Sequence, residues 1–176
     1  MKNAFIYAVL LALVLGVRCG GGKEEATPKV EPKAKITPKP LPKDIPSLKV
    51  LAEKGDAYAQ NNLGGMYENG EGVEKNHKEA VKWYRKAAEQ NVARAQHDLG
   101  YMYEKGLGVE KDEEEAVKWC RKAVEQNDAP SQYSLGVMYF NGKGVEKDEK
   151  EAVKWFRKAA EQGYEPAKAA LKEIEK

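Results

Sequence analysis

The chain has 176 residues, a formal net charge of +2 and two cysteines. Beyond residue 46 it carries 22 Lys and Arg against 24 Asp and Glu, without a basic stripe, which argues against a nucleic-acid partner. Two cysteines cannot staple a disulfide framework, and no metal-ligand set stands at a recognisable spacing, so no metal or other cofactor is expected.

Residues 1–19 read as an export signal. Lys2 gives a short positive start, and Ala4–Val17 form an apolar run of 14 residues. That suits the hydrophobic segment of a signal and falls short of the ~20 residues needed to span a bilayer. Cys19, followed by three glycines, resembles the first residue of a mature bacterial lipoprotein, so it is a candidate lipidation site and membrane tether. The residues before it, Gly16-Val17-Arg18, fit that pattern poorly, and ordinary cleavage near Gly16 or Cys19 stays open. The expected location is the periplasm or cell envelope, membrane-anchored if Cys19 is lipidated.

Residues 20–46 read as a disordered Pro/Lys-rich linker. Six of the eight prolines lie there, with six lysines between them. Such a stretch cannot build a core and favours extended polyproline conformation, so it would act as a spacer of up to ~80 Å at about 3.1 Å per residue.

Residues 47–176 read as a repeat array. Leu63-Gly64 recurs as Leu99-Gly100 and Leu135-Gly136, and Trp83 recurs as Trp119 and Trp155, each at a step of 36 residues. A fixed period of that size marks stacked helical units that bury their faces against their neighbours. The complete units are 56–91, 92–127 and 128–163. A partial helix over about residues 45–54 precedes them, and a capping helix over 164–176 follows, polar on one face through Lys172 and Glu175.

In the middle unit, Ala95, Leu99, Met102 and Tyr103 form one stripe of a first helix. Gly100 inside that stripe costs about 1 kcal/mol relative to Ala, which suggests close approach of a partner helix. The Gly106-Leu107-Gly108-Val109 turn ends the helix. Asp112 with Glu115 makes a capping box for the second helix, as do Asn76 with Glu79 and Asp148 with Glu151. Ala116, Trp119 or Cys120, and Ala123 follow as its buried stripe. Gly55, Asn91, Asn127 and Gly163 stand where second helices end, each tolerant of a left-handed conformation.

These residues resemble the Sel1-like repeats, relatives of the tetratricopeptide repeats, whose pattern includes Ala95, Leu99-Gly100, Tyr103, Gly106, Gly108-Val109, Asp112, Ala116, Trp119 and Ala123. The resemblance covers about residues 56–171. It implies an all-α, right-handed α/α solenoid of about three helix-turn-helix repeats with flanking capping helices, acting as a scaffold or adaptor. A cysteine-rich branch of that family includes β-lactam binders and hydrolases. Its per-repeat cysteine pairs are absent here, where Cys120 alone stands in the repeats, in the place of Tyr84 and Phe156.

Within near-identical repeats, the positions that refuse to repeat carry the information. On the first helices they form the trios Asn61, Gly65, Glu68; His97, Tyr101, Glu104; and Tyr133, Val137, Phe140. The implied groove is polar near its start and aromatic near its end. His97, Tyr101, Tyr133, Val137 and Phe140 are therefore the candidate partner-binding residues, unless the last trio packs as core or the positions merely drift. No catalytic residue is expected: neighbours on a helix do not face each other, so His97 and Asp98 make no relay, and Ser131 and Ser134 lack a basic partner at motif spacing. The expected function is an exported, non-enzymatic scaffold for a protein or peptide partner, without obligate oligomers. The alternative is a β-lactam- or peptidoglycan-directed binder or hydrolase.

Overall fold

A computed structural model describes residues 41–42 and 44–174. The chain separates into two units, Met1–Thr37 and Pro38–Lys176, and the described residues all belong to the second. The export signal, Cys19 and the linker as far as residue 40 lie outside the described residues.

Eight helices run through the described residues, with no strand: α1 Ile45–Glu53, α2 Ala57–Asn69, α3 His77–Glu89, α4 Ala93–Lys105, α5 Glu113–Val124, α6 Ala129–Asn141, α7 Glu149–Glu161 and α8 Glu165–Ile174. Each packs mainly on its neighbours in sequence, and the three closest pairs are α2 with α3, α4 with α5 and α6 with α7. These are the three repeats of the solenoid, flanked by α1 and α8. The leading helix begins at Ile45, where the sequence placed a partial helix over about residues 45–54. Asp44 accepts a hydrogen bond from the Ser47 N–H at 2.9 Å and Pro46 sits in the first turn, where its missing N–H costs nothing.

Every second helix starts on a side-chain cap. Asn76 Oδ1 accepts from the N–H groups of Lys78 and Glu79, Asp112 from Glu115 and Asp148 from Glu151. Only half of each expected capping box forms. The cap residue's own N–H donates to a carbonyl of the preceding helix, Asn76 to Tyr67, Asp112 to Tyr103 and Asp148 to Tyr139. The third-position glutamates turn outward to Lys82, Lys118 and Lys154 instead. A longer-range backbone bond has displaced the local reciprocal one. At the other ends, Asn91 and Asn127 hold φ of +66° and +62°.

The core lies between repeats as much as within them. Trp83 packs with Leu48 and Ala52 of α1 and Leu63 of α2, while Trp119 of α5 joins Val81, Ala88 and Leu99. Thus each of these tryptophans seals its own pair against the preceding repeat. The Gly-x-Gly turn works at the same junction. Gly108 has φ +71° and sits against the His77–Lys78 backbone, and Gly144 has φ +64° against Glu113–Glu114, so any side chain there would run into the start of the previous repeat's second helix.

A ladder of amides crosses these junctions. Gln60, Gln96 and Gln132 of the first helices are buried. Gln60 Nε2 donates to the Ala52 carbonyl at 3.0 Å, and Gln96 Nε2 to the Ala88 carbonyl at 3.2 Å and Asn91 Oδ1 at 3.1 Å. Gln132 Nε2 donates to Asn127 Oδ1 at 2.9 Å. Their oxygens in turn accept from Gln90, Gln126 and Gln162 at 2.7–2.8 Å.

The recurring helix-interior glycine has its expected cause, with a difference between copies. A Cβ on Gly64 would lie 2.6 Å from the Tyr84 ring, and one on Gly136 2.6 Å from the Phe156 ring. At Gly100 the nearest atom is the Ala116 carbonyl oxygen at 3.1 Å, because Cys120 replaces the aromatic. Gly64→Ala and Gly136→Ala should each lose about 1–3 kcal/mol in urea unfolding through overpacking. Gly100→Ala should lose less than either, offset by the gain of about 1 kcal/mol in helix propensity.

Candidate functional site

The three first helices α2, α4 and α6 carry the non-repeating trios. Between α2 and α4 the face opens into a cleft of about 910 Å³. Asn61, Gly65 and Glu68 line it from α2, and His97, Asp98 and Tyr101 from α4. Gly65 is what makes the depth, since the equivalent positions hold Tyr101 and Val137. Tyr101 is 42% exposed at the margin.

Of the five residues singled out from sequence, His97 and Tyr101 stand in this cleft; Tyr133, Val137 and Phe140 do not. Tyr133 is half-buried, its ring centroid 5.5 Å from those of Phe156 and Tyr164. It therefore packs onto the trailing segment, as the core alternative had it. Val137 is half-buried as well, and Phe140, at 36% exposure, is the one aromatic of the α6 trio that reaches solvent. The opening lies at the polar end of the face, not the aromatic end.

Polar groups in and beside the cleft are mostly committed. Tyr84 Oη donates to Glu68 Oε2 at 2.6 Å, and burial together with that bond raises the Tyr84 pKa far above the usual phenol range. Arg94 Nε donates to Asp98 Oδ2 at 2.9 Å. Asn61 Oδ1, shielded from solvent, has no hydrogen-bond partner among the described residues. Glu104, one repeat on from Glu68, accepts from Lys143 at 2.8 Å and Lys105 at 3.0 Å. Burial pushes its carboxyl up, yet these lysines hold it below the ordinary glutamate value.

One expectation fails here. His97 Nδ1 lies 3.1 Å from Asp98 Oδ1, and His97 Nε2 lies 3.1 Å from Ser134 Oγ, so an Asp98–His97–Ser134 chain does exist. Neighbours on a helix surface point apart, but the imidazole reaches both groups, one beside it on α4 and one across on α6. The arrangement bridges the second and third repeats. Beside it, Cys120 leaves a hollow of only about 20 Å³, lined also by His97, Tyr101, Glu104, Ser134 and Met138. Ser134 sits inside α6, whose backbone N–H groups are spent on the helix, so no backbone pair there forms an oxyanion hole. Burial pushes the Cys120 thiol up to about 12, a poor nucleophile. Among the described residues no three His, Cys, Asp or Glu side chains gather as a metal site.

With this geometry in place, comparison with known proteins adds the family. The Sel1 repeat model matches residues 57–92, 93–128 and 129–164, the three helix pairs described above. The chain belongs to the Sel1 repeat family. A Sel1 repeat protein from Oxalobacter formigenes is similar in structure with a TM-score of 0.64 and 45% identity, over 72% of this chain and 95% of that one. The protective antigen c5321 of uropathogenic Escherichia coli strains gives 0.66 and 46%, over 67% of this chain and 25% of that one. The cysteine-rich protein B of Helicobacter pylori gives 0.56 and 32%, over 70% and 93%. The putative sel1-like repeat-containing protein L18 of Acanthamoeba polyphaga mimivirus is 45% identical over 42 residues, which are 24% of this chain and 7% of the viral protein. Sel1 repeat proteins generally serve as non-enzymatic scaffolds that bind protein partners.

The Sel1 repeat frame separates residues that hold the array from residues free to vary. Tyr133→Ala should lose about 1–3 kcal/mol in urea unfolding, whereas Phe140→Ala should stay within about 0.5 kcal/mol. Cys120 should be silent to a thiol reagent at pH 8 in the folded protein and react at the rate of unfolding when urea is added. Rapid labelling at Cys120 itself, told apart from Cys19 by peptide mapping, would contradict its burial.

Proposed function

We propose that this Sel1 repeat array is an exported scaffold that holds a peptide or protein segment, without covalent chemistry, in the cleft between α2 and α4. The observation that carries the reading is the cleft itself, which coincides with the non-repeating first-helix positions and has the size of a ligand or peptide site. Tyr101 supplies an aromatic anchor at its margin, with Phe140 further along the face. Export rests on the signal-like residues 1–19, and a membrane tether on Cys19.

The test is selection of displayed random peptides against the purified protein, followed by affinity measurement on a surface variant. Tyr101→Ala should weaken the selected peptides at least tenfold while the melting temperature and far-UV circular dichroism stay unchanged. Peptides that bind the variant as well as the parent would place the site elsewhere. Fractionation of cells expressing the full chain should find the mature protein in the envelope; retention in the cytoplasm would remove export.

The Asp98–His97–Ser134 chain favours a second reading, hydrolysis of a β-lactam or related acyl compound. The scaffold reading predicts no nitrocefin turnover above the rate in buffer. Turnover that disappears in Ser134→Ala would replace it.

A further inference from the structure

We propose that the cleft between α2 and α4 is a receptor for a cationic side chain, an arginine or lysine carried by the partner segment. The inference rests on the scaffold reading and assigns the chemistry of what the scaffold holds.

Gly65 gives the first reason. It stands inside α2, where glycine costs about 1 kcal/mol relative to Ala. The other first-helix glycine, Gly64, is forced by the Tyr84 ring. Nothing comparable forces Gly65. A Cβ there would meet only Tyr84 Oη, at an ordinary 3.5 Å, and its φ lies outside the left-handed region. The equivalent residues in the sister repeats are Tyr101 and Val137, so the fold accepts a large side chain at this position. The feature that the missing side chain does create is the open floor of the cleft.

The second reason is what surrounds that floor. Glu68, Glu71 and Asp98 share the lining with one guanidinium, Arg94, which is already bonded to Asp98. Glu68 Oε2 accepts from Tyr84, and its other oxygen has no partner among the described residues. With three carboxylates and one guanidinium in its lining, the cleft carries negative charge in excess of positive. Tyr101 adds an exposed ring whose face attracts cations, as Lys105 at 5.7 Å from its centroid illustrates. A guanidinium or ammonium group on an apolar stem satisfies all three: the oxygens, the ring and the space over Gly65. A carboxylate would meet the negative charge of Glu68, Glu71 and Asp98, and an apolar side chain would leave that charge uncompensated.

The experiment is an amide NMR titration of the 15N-labelled full chain with three blocked pentapeptides, acetyl-Gly-Ser-X-Ser-Gly-amide, in which X is Arg, Leu or Glu. The Arg peptide should shift the amides of Asn61, Gly65 and Tyr101, with a dissociation constant at least tenfold below that of the Glu peptide. Glu68→Gln, which keeps the acceptor for Tyr84, should weaken the Arg peptide at least fivefold. Gly65→Tyr, copying the sister repeat, should abolish the shifts and raise the urea midpoint. Leu or Glu peptides binding at these residues as well as Arg would overturn the cationic assignment and leave the cleft as a binding site. No shift at these residues with any peptide would overturn both. Unchanged Arg binding in Glu68→Gln or in folded Gly65→Tyr would also overturn the proposal.

Discussion

The buried glutamine amides at the repeat junctions tie each helix pair to the one before it. Gln60 and Gln96 each satisfy a carbonyl at the end of the preceding second helix and accept from a glutamine, Gln90 or Gln126, at the end of the following one. A buried amide left without these partners costs about 1–3 kcal/mol, so the junction tolerates little rotation. Burial by itself is non-directional, and interlocking side chains favour only broad classes of crossing angle. The amides supply direction, and the tryptophans and close-packed turn glycines fill the space around them. The separation of α2 from α4, and hence the width of the cleft, follows from that junction.

Fixing the frame in periodic residues leaves the first-helix face free to differ from copy to copy. At one aligned position the three repeats hold Glu68, Glu104 and Phe140, and each does something else: one accepts from Tyr84, one pairs with Lys143, one is exposed. Replacing Tyr84 by Cys120 in the middle repeat frees a little space beside His97, which bridges to Ser134 on α6. Local chemistry changes there without any change in helix geometry. The three repeats of this chain thus share their junction residues and differ on the first-helix face.

Much of the frame was legible because its causes are local and repeat every 36 residues. Leu99, Trp119, the left-handed Asn91 and Asn127, and the glycine under a neighbouring helix all leave a periodic mark. The amide ladder left the same mark, at Gln60, Gln96 and Gln132, yet a glutamine reads as a surface residue until its carbonyl partner is known. The capping boxes were half right for a related reason. A cap residue's N–H had a better acceptor in the preceding helix, which local sequence does not reveal. The site was less legible still. Clustered aromatics pointed to Tyr133, but its ring meets Phe156 and Tyr164, which are 23 and 31 residues away in sequence. The cleft is marked instead by a missing side chain at Gly65, and His97 overrode the rule that adjacent helical residues do not meet.

The central claim is that the α2–α4 face, not the second helices, receives the partner. Photo-crosslinking in the native host tests it directly, with a photoreactive residue replacing Tyr101 in the cleft and, as control, Lys118, whose side chain is 64% exposed on α5. A discrete protein adduct from position 101 and none from position 118 is the predicted result. Adducts of equal yield from both, or from 118 alone, in protein shown to be folded, would contradict it.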